Sequence, residues 1–69
     1  MQRHPVSSTN LASVGYDLPS QTLEVEFNSG GVYQYFDVPE HVYQELLAAG
    51  SVGSYFARSI KKSFACSQV

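Results

Sequence analysis

Apolar and polar positions change rhythm once along the chain, near its middle. From Leu11 to Asp17 the apolar residues Ala12, Val14 and Tyr16 alternate with Ser13, Gly15 and Asp17, the period of two expected of a strand with one buried face. Thr22 to Phe27 repeats the pattern, with Leu23, Val25 and Phe27 on one side and Thr22, Glu24 and Glu26 on the other. The turn between them is Leu18-Pro19-Ser20-Gln21. A third strand, Val32 to Val38, runs through aromatic and β-branched residues until Pro39, which lacks a donor N–H and suits the first turn of a helix. Beyond Pro39 the period lengthens. Val42, Tyr43, Leu46 and Leu47 form one apolar stripe, predicting a helix from Pro39 to Ala49 that Gly50 ends. Ser51 or Ser54 can cap a second helix running to about Ser63, with Val52, Phe56, Ile60 and Phe64 four apart on its inner face.

The loop Asn28-Ser29-Gly30-Gly31 decides which way the central tyrosines point. Pairing Phe27 with Val32 would put Tyr33 and Tyr35 on the polar face beside Glu24 and Glu26. A three-residue loop with Gly30 left-handed instead pairs Phe27 with Gly31, and both tyrosines join the apolar face. The second register is favoured because it sets Val25 opposite Tyr33 and Leu23 opposite Tyr35 while leaving Gln34 outside. Its cost is a partly exposed Phe36.

These elements predict an α+β fold: a three-stranded antiparallel β-meander followed by two α-helices packed on one face. Residues 11–64 form a single domain, between a flexible N-terminal tail over residues 1–10 and a C-terminal tail over residues 65–69. Folding of a 69-residue chain buries only about 60% of the surface exposed when unfolded. Such scaffolds often add a disulfide, a metal or a second subunit. With Cys66 alone there is no internal disulfide, so a homodimer is the remaining expectation. Met1 to Ser8 has no apolar signal core, and no apolar run approaches the roughly 18 residues of a membrane span, which makes the cytoplasm the expected compartment without a membrane partner.

Little in the sequence points to catalysis or metal binding. His4 and His41 lie far apart, with Cys66 the one available thiolate, at no metal-ligand spacing, so neither a metal nor another cofactor is expected. Glu24 and Glu26 fall on an alternating solvent face, where charge is ordinary; with Asp17 and Glu45 they show no sign of a coupled acid–base pair. No serine has His and Asp at a signature spacing, and an enzyme is not expected. Two features could bind a partner. Arg58, Lys61 and Lys62 hold three of the four Lys and Arg residues on one side of the second helix, where they could meet phosphates or simply complement the helix dipole. Tyr33 and Tyr35 could stack bases if they face outward, or fill the core if they face inward. The net charge of −2 and pI of about 5.4 oppose nucleic acid as a partner at the level of the whole chain, since nucleic-acid-binding domains more often have a pI above about 9.

Ser7-Ser8, Val14-Gly15-Tyr16-Asp17, Leu23 to Phe27, Tyr33-Gln34-Tyr35, Val38-Pro39, Ser51-x-Gly53-x-Tyr55-Phe56 and Ile60-Lys61 together resemble the KTSC domain over nearly the whole chain. Tyr33 and Tyr35 match that family's central Y-x-Y. KTSC domains occur as free-standing small bacterial proteins and at the C-terminus of some lysyl-tRNA synthetases. The resemblance implies RNA, or another single-stranded nucleic acid, as the class of partner, and it implies no activity. The expected function is a small, non-sequence-specific nucleic-acid-binding module using Arg58, Lys61, Lys62, Tyr33 and Tyr35. The alternative is a protein-interaction or self-associating module with no nucleic-acid role.

Overall fold

Backbone pairing extends the sheet beyond what side-chain periodicity announces. The computed structural model describes residues 1–69 throughout. Its strands are β1 (His4–Pro5), β2 (Leu11–Asp17), β3 (Thr22–Phe27), β4 (Val32–Tyr35) and β5 (Cys66–Gln68), with helices α1 (Glu40–Ala48) and α2 (Val52–Ser59) between β4 and β5. Spatial order follows chain order, β1-β2-β3-β4-β5, and every neighbouring pair is antiparallel. The fold is therefore α+β, as the periodicity predicts, but with five strands rather than three.

The two additional strands come from the segments expected to be tails. Residues 1–10 run beside β2, pairing His4 with Val14 and Pro5 with Ser13. Residues 65–69 return from α2 to pair Tyr33 with Gln68 and Tyr35 with Cys66. Neither segment alternates apolar and polar residues, because main-chain hydrogen bonding to a strand already in place requires no such side-chain pattern. The same explanation covers β4, which stops at Tyr35 rather than Val38. Asp37 adopts a left-handed φ of 58°, and the Val38 N–H turns to the Gln21 carbonyl at 2.9 Å. Short polar side chains tolerate that conformation better than apolar ones.

The central hairpin has the inward register. Val25 opposes Tyr33 and Leu23 opposes Tyr35, the Phe27 N–H donates to the Gly31 carbonyl, and Gly30 has a φ of 110°. A bulge between Leu11 and Ser13 departs from the expected alternation. It brings Leu11, rather than Ala12, into line with Val14, so that Leu11 is fully buried opposite Phe27. One core then joins Leu11, Val14, Leu23, Val25 and Tyr35 of the sheet to Leu46 of α1 and to Phe56 and Ile60 at α2. Both helices therefore cover the same face. Tyr55 links them, its hydroxyl donating to Glu45 Oε1 at 2.9 Å, and Tyr16 stacks on Tyr43 at 4.9 Å.

Candidate nucleic-acid interface

The second helix is shorter than its sequence pattern predicts, and this rearranges the cations. Ser51 caps α2, its hydroxyl accepting the Ser54 N–H. The helix ends at Ser59, where Ile60 departs to φ −121°, and the Lys61 N–H still reaches the Phe56 carbonyl at 3.0 Å. Arg58 thus sits in the last helical turn, while Lys61 and Lys62 lie in the turn that follows. Buried Phe56 and Ile60 anchor this segment from below, leaving all three cations exposed.

Their electrostatic setting differs from that of the fourth cation. Arg3 lies across the outer sheet face, 2.5 Å from Glu24 and 3.9 Å from Glu26, with Nε donating to Ser13 Oγ. Both ion pairs of the molecule belong to Arg3; Arg58, Lys61 and Lys62 have no carboxylate at that range. The Arg58 side chain folds back along α2, Nε donating to the Ser54 carbonyl at 3.3 Å. Its terminal nitrogens, and both lysine ammoniums, remain open to anions.

The tyrosines have another role. Tyr35 is only 4% exposed, with its ring meeting Phe56 edge-on at 5.4 Å. Burial first, and then the charge of nearby Cys66, push its hydroxyl up to about 12, so it stays neutral at ordinary pH. A base cannot reach that ring. Tyr33 is half-buried against the edge of Phe27 at 5.6 Å. The inward register thus withdraws Tyr35 from the five expected interface residues and leaves Tyr33 a subordinate position, while Arg58, Lys61 and Lys62 stay together at the surface.

Sequence reading did not foresee the Arg3 network. Glu24 is 8% exposed, accepting from Gln34 at 2.9 Å as well as from Arg3. The signal was present, a lone arginine in a segment otherwise without charge, but its partners are brought together only by β1 pairing. The Gln34 hydrogen bond, helped by Arg3 and opposed by burial, holds the Glu24 carboxyl below its usual value. With the folded value below the unfolded one, Glu24's stabilisation is complete above the ordinary carboxylate range and is lost as pH falls through the folded value. The stability gap between the parent and Glu24→Gln should therefore narrow between pH 7 and pH 3 in denaturant titrations. A gap of constant size would mean that the carboxylate charge is not what stabilises this site.

No three His, Cys, Asp or Glu side chains lie close enough together to hold a metal ion. No helix is long and apolar enough to cross a membrane. Residues 7–64 match the KTSC domain family. An uncharacterised protein of Stutzerimonas stutzeri is 48% identical over 61 residues, covering 88% of this chain and 86% of that protein. A lysine–tRNA ligase of Trichormus variabilis is 48% identical over 54 residues, which cover 78% of this chain but 10% of the ligase. The crystal structure of a KTSC domain protein from Yersinia pestis superimposes with a TM-score of 0.96 at 43% identity, covering 99% of this chain and 96% of that one.

Proposed function

The chain belongs to the KTSC domain family, and from that premise we propose that it is a cytoplasmic nucleic-acid-binding module rather than a catalyst, gripping the backbone of RNA or another single strand through Arg58, Lys61 and Lys62. The observation that carries this reading is the contrast among the cations: Arg3 is neutralised on the outer sheet face, whereas the other three are exposed and unpaired on one short segment. The presence of a similar stretch within lysine–tRNA ligases adds a partner class of the right charge. With the tyrosines turned inward the contact is to phosphates, and no base is read.

About three phosphate contacts to a single strand give a slope near −2 for log affinity against log salt. The variant Arg58→Gln/Lys61→Gln/Lys62→Gln should abolish binding and stay folded, since Phe56 and Ile60 beneath it are unchanged. Fluorescence anisotropy with a labelled single-stranded oligonucleotide at several salt concentrations measures both quantities. Salt-independent binding, or full binding by the triple variant, would refute the proposal.

Self-association has its own support at the sheet edges. The β1 edge carries Pro5, which has no N–H to offer, but β5 is exposed along its whole length and carries neither proline nor lysine. A homodimer formed by two β5 strands should appear as a concentration-dependent sedimentation coefficient between micromolar and near-millimolar protein. A monomer across that range would remove this reading.

A further inference from the structure

A polar groove of about 540 Å³ lies between residues 7–10 and the start of α2, walled by Ser7, Ser8, Thr9 and Asn10 on one side and by residues 50–54 with Ala57 on the other. Its walls are fixed rather than loose. Ser8 Oγ accepts the N–H groups of Asn10 and Leu11 at 3.1 and 3.2 Å, the Ser8 carbonyl accepts from the Asn28 side-chain amide at 3.1 Å, and the Asn28 N–H holds the Asn10 carbonyl at 2.8 Å. The two walls meet where Ser8 Oγ approaches Gly53, leaving 3.0 Å to where a Cβ would stand.

Three properties limit what could occupy this space. Only two of the ten lining residues, Val52 and Ala57, are apolar, which favours a polar occupant over a base or an apolar peptide side chain. None of the ten is acidic, although the chain has six carboxylates. Arg58 follows the lining residue Ala57 on α2 and donates from Nε to the carbonyl of the lining residue Ser54, so that a guanidinium without a carboxylate partner neighbours the groove without lining it. Sites for small ligands commonly enclose roughly 300–1,000 Å³, so the groove has room for a sugar with its phosphate and not merely for an ion.

We infer that this groove seats a sugar–phosphate unit of the bound single strand, with Arg58 on the phosphate and the hydroxyl and amide side chains of Ser7, Thr9, Asn10 and Ser54 facing the sugar and phosphate oxygens. The inference rests on the nucleic-acid reading above and extends it: the cations attract the strand, and the groove sets its path. It also gives residues 1–10 a task, since the sheet pairing of β1 and the Asn28 contacts hold the second wall.

Heteronuclear NMR with the intact chain tests the groove directly. Short single strands with and without a 5′-phosphate, and inorganic phosphate at matched ionic strength, are titrated into the parent, Ala57→Glu and Ala57→Gln. Saturable shifts are expected at the amides of residues 7–10 and 51–54. Ala57→Glu places a carboxylate in the groove from an exposed helical position and should bind about fivefold or more weakly than the isosteric, neutral Ala57→Gln, which carries the same bulk without the charge. A preference for the 5′-phosphorylated strand assigns the seat to a terminal phosphate, and equal binding assigns it to an internal one. Shifts confined to residues 58–62, or equal binding by Ala57→Glu and Ala57→Gln, overturn the groove while leaving the cation reading standing. Absence of shifts anywhere overturns both.

Discussion

Tyr35→Ala should lower the free energy of unfolding by about 3–5 kcal/mol, the usual cost of removing a buried aromatic ring. Tyr35 faces Leu23 across the hairpin and Phe56 across the sheet–helix interface, so its loss opens a cavity where the three elements meet. Domains of this size commonly have only about 5–15 kcal/mol in total, and the variant should be close to unfolding at room temperature. Tyr33→Ala should cost clearly less, because Tyr33 is half-buried and packs on Phe27 at the margin of the core. Urea titrations of the two variants compare them directly. Equal and small losses would mean that the tyrosines face solvent and that the hairpin register is the other one.

Arg3→Ala should destabilise by about 1.5–3 kcal/mol, the range for a charged hydrogen bond lost from a buried partner. Arg3 is itself partly exposed, with 31% of its side chain accessible, which keeps the figure below that for a fully buried pair. What remains after the substitution is the Glu24 carboxylate, nearly buried and supported by Gln34 alone. Adding Glu24→Gln should recover part of the loss, because the stranded charge is gone, and the double-mutant cycle isolates the coupling. Gly15 gives a second route to the same place. A Cβ at Gly15 would run into the Gln2 carbonyl and lie 3.1 Å from Arg3 Cγ, so Gly15→Ala should also loosen β1. Strictly additive losses for Arg3→Ala and Glu24→Gln would show that the pair contributes nothing as a pair.

The middle of the fold could be read from its residues and the margins could not. Leu23, Val25 and Phe27 alternate strictly, and the loop glycines leave only two registers, of which only one pairs Val25 with Tyr33 and Leu23 with Tyr35; β2, β3, β4 and both helices follow from side-chain pattern. By contrast, β1 and β5 are held by main-chain groups, which every residue has, so His4–Pro5 and Cys66–Gln68 carry no pattern to detect. The Ala12 bulge was hidden for a related reason: strict alternation is assumed when a strand is read, and one extra residue shifts Leu11 to the opposite face. At the candidate site, the clustering of Arg58, Lys61 and Lys62 was visible in composition. That they are unpaired depends on where six carboxylates fall in space, and that Tyr35 is closed to a base depends on Phe56, more than twenty positions away. The groove beside Ser54 needed both facts and the path of residues 7–10.

Whether an acidic chain offers a working anionic-ligand surface at this one place is the central question, and amide chemical-shift mapping with a short single-stranded RNA at low salt addresses it most directly. Fast-exchange shifts centred on Arg58, Lys61 and Lys62 are expected, fading as salt rises, with Glu24, Glu26 and Gln34 on the outer sheet face unmoved. Shifts centred on that outer face with residues 58–62 silent, or no shifts at all at low salt, would contradict it.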